Sequence, residues 1–413
     1  MRILLVHNFY GSAAPSGENR IVEEECEMLR TAGHDVIQHY THSDSVRGRG
    51  LWREMRTALL LPWNPLARSE IRALIRTIRP EVMHVHNVFP LLSPSIFSAA
   101  RGSATAVVNT LHNYRTLCPA AIPLRAGKTC TQCIDKRSIA PAVRYGCYRN
   151  SHLATLPLAA SVAIHRHLQT YSRYVDAFIA LTDFQKSLLI KGGLPAARIH
   201  VRPNVFPGAA RELRWEDREN KAVFVGRIKT EKGIEPLIQA WTQWGSAAPL
   251  LEVIGDGPDL ERLRTSASKV AGSRIKFSGM LPTEETYMRL QSARLLVVPS
   301  ICLEGFPLVL REAFAFGVPV AASSIGAFEE LVAARKLGRT FEPGDVQDML
   351  RTVSAMWADQ AALKEMAKSA RSEFESRYTA AAGLNRLLWI YDRAIEHRRF
   401  ASGFSHECGA CTG

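Results

Sequence analysis

Two acidic residues eight positions apart, Glu304 and Glu312, stand in the run Pro299-Ser300-Ile301-Cys302-Leu303-Glu304-Gly305-Phe306-Pro307-Leu308-Val309-Leu310-Arg311-Glu312-Ala313-Phe314-Ala315. The apolar residues 295–298 before it read as a strand, and the run itself supplies a turn and a helix entry. Glu304 then belongs to the loop and Glu312 to the helix, at different depths of one crevice. A carboxylate there can accept two hydroxyl hydrogen bonds from a ribose or a hexose, a contact that neutral side chains make less well. The plainer alternative is a helix N-terminal charge and an exposed helical Glu.

A second constellation, Phe224-Val225-Gly226-Arg227-Ile228-Lys229-Thr230-Glu231-Lys232-Gly233, puts Gly, Arg and Lys in the loop directly after a strand. Fixed cations at such a place stabilise the negative charge that develops on a diphosphate leaving group, without a metal ion. A solvated basic loop would look the same. Gly255-Asp256-Gly257-Pro258 also follows a strand and forms a tight turn that lets a ligand approach the backbone. The first loop carries Gly11, Ser16 and Gly17 ahead of a helix from about Asn19, so its N–H groups suit a phosphate or a donor sugar. It is not a P-loop, since no Gly-Lys-Ser or Gly-Lys-Thr ends it. No Asp-x-Asp follows a strand to hold a divalent ion, so catalysis is expected to need no cofactor.

These loops need a scaffold. A chain of 413 residues exceeds one ordinary hydrophobic core. Strand, loop and helix alternate from residue 2 to about 205, and a Pro/Gly-containing, charged stretch then precedes a second such series. The expected architecture is α/β: two Rossmann-like, doubly wound parallel-sheet domains facing a cleft, over 1–205 and 206–383, with a helix at about 384–400 and a flexible tail at 401–413. Ligands in such sheets lie beyond the carboxyl ends of the strands, which assigns the chemistry to the cleft.

Taken together, residues 220–330 resemble family 4 (group 1) glycosyltransferases of the GT-B fold, and the likeness extends more loosely over most of the chain. Val225-Gly226-Arg227 with Lys232-Gly233, Ile254-Gly255-Asp256-Gly257-Pro258, and the Glu304/Glu312 motif carry it by their order and separations. The resemblance implies a hexosyltransferase that retains anomeric configuration and uses a UDP- or GDP-sugar. It assigns the diphosphate to Arg227 and Lys232, the transferred sugar to Glu304, and the ribose to Glu312. The same donor site includes Gly17, Gly226, Gly257, Gly305, Phe306, Pro307 and Leu308, with Asn204 at the hinge. It implies that His112 sits near the donor sugar and positions it, while the leaving phosphate assists proton removal. His86, in His84-Val85-His86-Asn87, ends another strand and is an alternative for the acceptor.

Between two strands lies an insert, about 115–150, with Cys118, Cys130, Cys133 and Cys147 spaced C-x11-C-x2-C-x13-C among basic, Pro and Gly residues. Either a structural zinc held by four thiolates or free thiols account for it. Disulfides are not expected of a cytoplasmic chain, and such inserts occur in family members serving exopolysaccharide and lipopolysaccharide synthesis. Cys408 and Cys411 are assigned nothing.

Residues 1–205 carry 25 basic and 13 acidic side chains, against 27 and 26 in 206–413. The excess belongs to one half and attracts anionic lipid, nucleic acid or pyrophosphates. Arg47, Arg49, Arg53, Arg56, Arg68, Arg72, Arg76 and Arg79 flank Leu51, Trp52, Leu59, Leu60, Leu61 and Trp63, a pattern that suits a headgroup layer as well as a packed helix with an exposed Arg face. The start of the chain lacks a signal-like apolar region, and no run reaches bilayer-spanning length. Expected, then, is a cytoplasmic protein whose acceptor is a glycan or lipid-linked, with peripheral contact to an anionic inner membrane face. A nucleotide-sugar epimerase of the same fold is the nearer rival. A nucleic-acid-binding protein is the farther one, disfavoured because no recognition helix or stacking platform is present.

Overall fold

Runs such as Ile3-Leu4-Leu5-Val6 and Leu295-Leu296-Val297-Val298 have no polar side to offer water. They must be covered on both faces, which a parallel sheet sandwiched by helices provides. The computed structural model describes residues 1–11, 16–46, 48–208, 210–269 and 274–402. Arg47, and residues 403–413 of the expected tail with Cys408 and Cys411, lie outside the described residues.

The first domain holds β1 (Arg2–Phe9), β2 (Asp35–His42), β3 (Val82–Val85), β4 (Ala106–Thr110), a small hairpin β5 (Leu124–Arg125) and β6 (Lys128–Thr129), then β7 (Ala177–Ala180) and β8 (Ile199–Val201). Its six-stranded sheet runs β2-β1-β3-β4-β7-β8, all parallel. The second domain holds β9 (Lys221–Val225), β10 (Leu250–Ile254), β11 (Ile275–Gly279), β12 (Leu295–Val298), β13 (Val320–Ser323) and β14 (Gly338–Phe341), in the parallel order β11-β10-β9-β12-β13-β14. The strand order reverses between β1 and β3 in one sheet and between β9 and β12 in the other. Open α/β sheets bind ligands at these two places.

Helix placement follows capping chemistry. Ser16 caps the helix Gly17–Thr31 by accepting from the Glu18 amide, and Asn64 caps Pro65–Ile78 with Pro65 as its first residue. Ala67, Ile71 and Ile75 of that second helix enter the core. The helix Leu51–Leu60 buries none of its residues.

The closing helix expected at about 384–400 runs over Ala380–Ser402, and a further helix, Gln360–Arg377, precedes it, the two parted at Tyr378-Thr379. Thr379 makes a parallel bridge with Phe206, beside the first crossing between domains. The last helix then returns to the first domain, where Leu387, Ile390, Tyr391 and Ala394 join Ile3, Leu5, Val108 and Ile179 in one core. Short β8 and β14, which no apolar run in the sequence marks, complete the sheets.

Candidate active site

Three loops at the carboxyl ends of β9, β10 and β12 are laced together by their backbones. Gly226 N donates to Ile254 O at 3.0 Å, Ile228 N to Asp256 O at 2.9 Å, and Ile301 N to Glu231 O at 3.0 Å. Glycine permits the approach: a Cβ on Gly233, whose φ is +66°, would lie 1.8 Å from Pro299 O, and one on Gly257 would lie 2.2 Å from Ile228 O.

This lacing brings Lys232 to Glu304, with Nζ 2.7 Å from Oε2, while the Ser300 hydroxyl bonds the other carboxylate oxygen. Burial pulls the Lys232 pKa down, but Glu304 foremost among its neighbours outweighs this and leaves it above the ordinary lysine value. The ammonium is thus held charged at the cleft. Arg227 follows β9 directly and is exposed.

The motif after Glu304 forms the seam between domains. A Cβ on Gly305 would lie 3.0 Å from the His112 carbonyl oxygen, and one on Gly17 would lie 2.8 Å from Leu308. Asn204 Nδ2 donates to Phe306 O at 3.4 Å, Phe306 is buried, and Pro307 precedes the helix Leu308–Ala315. The helix Gly17–Thr31 meets that helix through ion pairs. Arg20 lies 3.2 Å from Glu312 and also bonds the Tyr287 hydroxyl, and fully buried Arg311 lies 2.7 Å from Glu24. Burial raises the Glu312 pKa, and Arg311 and Arg20 offset this only in part. The structure therefore places Glu312 in a buried cross-domain pair with Arg20, deeper than the crevice lining read from sequence. Glu330 reaches from the second domain to cap the helix Asp183–Lys191 of the first, accepting from the Phe184 amide at 2.8 Å.

On the first-domain wall, His7, His84, His86 and His112 gather at the ends of β1, β3 and β4. His86 Nδ1 is 2.9 Å from His112 Nε2, with the rings stacked. Burial, then His86, holds the His112 pKa well below the ordinary value, so its ring is neutral. Beside it Asn113 donates to Glu18 at 3.4 Å. Burial drives the Glu18 carboxyl up to about 7, against the pull of Arg115, Asn113 and Tyr10.

Sequence reasoning missed Glu18, Arg20, Glu24, Glu25, Arg202 and Glu330. One signal existed: Glu25 falls on the apolar stripe Ile21, Val22, Cys26, Leu29, where only a partnered acid survives.

In the insert, Cys118, Cys130, Cys133 and Cys147 line one recess as free thiols. Burial, then Cys133, pushes Cys118 up to about 12. Among the described residues only Glu25, His84 and His86 bring three ligand atoms within 4.8 Å of one another. No three of the four sulfurs do so, whereas tetrahedral zinc with bonds of about 2.3 Å needs neighbours about 3.8 Å apart. The thiols share a recess without closing a coordination shell.

The described helices include none long and apolar enough to cross a membrane. Leu51–Leu60 is instead amphipathic with none of its residues buried, Leu51 being 72% exposed, Trp52 83% and Leu59 78%, beside exposed Arg49, Arg53 and Arg56. Arg68, by contrast, turns inward to the Ser98 hydroxyl at 2.7 Å.

Two family models match the chain. The model described as glycosyl transferases group 1 covers residues 207–373, and that of glycosyltransferase family 4 covers residues 15–206. A 2-deoxystreptamine N-acetyl-D-glucosaminyltransferase of Streptomyces fradiae is 27% identical over 84% of this chain and 77% of its own length. A phosphatidyl-myo-inositol mannosyltransferase of Mycolicibacterium smegmatis is 25% identical over 85% and 83%. Among solved structures, Anabaena HepE in complex with UDP superposes with a TM-score of 0.65 at 15% identity, covering 95% of this chain and 100% of that one.

Proposed function

Because the chain belongs to the group 1 glycosyltransferases of the GT-B fold and takes its sugar from a nucleotide-sugar donor, we propose that it transfers the sugar with retention to a glycan or lipid-linked acceptor in cell-surface polysaccharide synthesis. The observation that carries this reading is the Lys232–Glu304 pair on glycine-built loops. A cation and a carboxylate side by side fit the two ends of a sugar diphosphate, with Lys232 and Arg227 on the phosphates and Glu304 on sugar hydroxyls. Charge leaving with the diphosphate is then met by side chains, and EDTA is expected to leave the rate unchanged. Glu312 takes the ribose when Arg20 yields to it, and His112 positions the transferred sugar.

UDP in the HepE complex supports a uridine donor, with GDP-sugars the alternative. The phosphatidyl-myo-inositol mannosyltransferase, by its name, supports a lipid acceptor. The exposed Leu51, Trp52 and Leu59 among arginines support action at the cytoplasmic face of an anionic membrane. A second reading, a small soluble acceptor, is favoured by the name of the 2-deoxystreptamine enzyme. In the insert, the shared recess supports zinc taken up by contraction of its loop; one zinc per purified chain upholds this and a zinc-free folded chain overturns it.

Thermal stabilisation by UDP-, GDP-, ADP- and dTDP-sugars tests the donor site. Ligand at about 100 times its dissociation constant adds roughly 2.7 kcal/mol. One nucleotide class should stabilise the wild type and neither Lys232→Ala nor Glu312→Ala. No shift with any donor in folded protein overturns the reading.

A further inference from the structure

His84 and His86 are alternate residues at the end of β3, so their side chains share one side of the sheet. The core-facing stripe of the helix Gly17–Thr31 brings Glu25 against both, and all three residues are buried. Glu25 Oε1 lies 3.0 Å from His84 Nδ1 and 3.2 Å from His86 Nε2, and the three atoms fall within 4.8 Å of one another. Yet neither Glu25 Oε1 nor His86 Nε2 has a hydrogen-bond partner. Polar atoms left unpaired in a dry interior are costly and rare, and here two of them face each other. One cation between them satisfies both.

We propose that Glu25 Oε1, His84 Nδ1 and His86 Nε2 bind one structural zinc ion, set behind the cleft rather than in it. Two imidazoles and a carboxylate are a zinc donor set, whereas magnesium and calcium take oxygen. Tetrahedral zinc with bonds of about 2.0–2.2 Å spaces its donors about 3.3–3.5 Å apart, so the gaps need open by only a few tenths of an ångström. The Tyr391 hydroxyl, 2.8 Å from His84 Nδ1, stands as the fourth donor. The far atom of each ligand is already held, as in zinc sites whose surroundings orient their ligands. His84 Nε2 meets Thr110 Oγ1 at 2.8 Å, His86 Nδ1 meets His112 Nε2 at 2.9 Å, and Arg202 Nη1 donates to Glu25 Oε2 at 2.6 Å. Both rings bind as neutral imidazoles, with their protons on those held nitrogens. The ion ties the helix Gly17–Thr31, β3 and the closing helix Ala380–Ser402 together beneath His112. Four protein donors leave no open position, so it orders the wall and takes no part in transfer. Its burial also keeps it from EDTA in the native protein.

The test uses the full-length chain carrying Cys130→Ser and Cys133→Ser, which removes the thiols of the insert as a competing site. Expressed with zinc and dialysed exhaustively, this parent should hold one zinc per chain by elemental analysis. X-ray absorption should show two imidazoles and no sulfur around the metal. Sulfur in the wild-type spectrum then belongs to the insert, which tells the two zinc sites apart. Adding Glu25→Gln should release the zinc. Parent refolded from denaturant with zinc should melt several degrees above parent refolded with dipicolinate, and Glu25→Gln should show no such difference. If Glu25→Gln does not fold, the absorption spectrum of the parent decides alone, because it identifies the ligands. A folded parent without zinc overturns the site. So does zinc whose spectrum lacks two imidazoles, and so does zinc retained by folded Glu25→Gln.

Discussion

Lys232 and Glu304 stand 2.7 Å apart although 72 residues separate them, each delivered by a loop at the carboxyl end of a strand beside the sheet's reversal point. The pair offers a charge of each sign to one small volume of the cleft. Lys232→Ala removes the cation opposite the departing diphosphate and should lower kcat on the order of 100- to 1,000-fold, the usual cost of losing a preorganised group aimed at developing charge. The rate with the stabilising nucleotide sugar is the measurement, alongside Tm. A loss under about tenfold would remove Lys232 from that role.

Glu18 gives a prediction with a sign. Its folded pKa is raised to about 7, so its contribution to stability is present below the unfolded carboxylate value and lost as pH rises through 7. Glu18→Gln should therefore be more stable than wild type at pH 8, by roughly 1 kcal/mol after allowing for partial exposure, with the difference shrinking below pH 7 and closing below about pH 4.5. The depressed histidines His7 and His84 act in the opposite sense, their contribution being lost as pH falls below 6.5. They are common to both proteins, so the difference in melting temperature isolates Glu18. A gap that widened toward acid would refute the assignment.

Gly233→Ala should be costly out of proportion to one methyl group. The new carbon would sit 1.8 Å from Pro299 O at a φ of +66°, so the loops bearing Lys232 and Glu304 must separate. A loss of about 1–3 kcal/mol in denaturant unfolding is expected, with donor stabilisation weakened further because the pair no longer meets. Retention of full donor stabilisation would show that the laced loops are not what holds the site.

Trp52→Ser with Leu59→Ser removes exposed anchors from a helix none of whose residues is buried, and so should leave Tm within about 1 °C. Sedimentation with phosphatidylglycerol vesicles at low salt should fall at least about tenfold, while phosphatidylcholine vesicles bind neither protein. Equal binding by variant and wild type would dismiss this helix as a membrane contact.

Much of the architecture was legible because buried parallel strands announce themselves as apolar runs punctuated by glycine. The main strands of the two series, around residues 2–180 and 221–323, needed nothing more, whereas short β8 and β14 carry no such run. The pairing of Lys232 with Glu304 was partly legible, since both stood at strand ends, but their contact depends on glycines that allow backbones within touching distance. Arg202 and Glu24 were not legible, and Glu25 only as an acid on an apolar stripe, without its partners. Their meaning lies in partners about 180 to 290 residues away, and a charged residue on a helix reads as solvated until its neighbours are known. Glu312 illustrates the same limit, because local pattern set its helix and only the approach of Arg20 set its environment. The spacing of the four cysteines left structural zinc and free thiols both open, because spacing does not fix the separation of sulfur atoms across a loop.

The return of the last helix to the first domain makes the junction a two-pin door hinge. The chain crosses between domains once outward, at Arg202 to Phe206, and once homeward, at Tyr378 to Gly383. These crossings run side by side, joined by the Phe206–Thr379 bridge and by Arg202 on Gly383 O, and Gly383 is bare enough that a Cβ there would strike Val205 at 2.3 Å. A single tether lets two bodies swing and twist in any direction, whereas paired tethers fastened together leave one cheap motion, a swing about the line through both. Opening to admit a donor and closing to engage it would therefore follow one repeated arc, returning Gly17 to Leu308 and Gly305 to His112 in the same register each cycle.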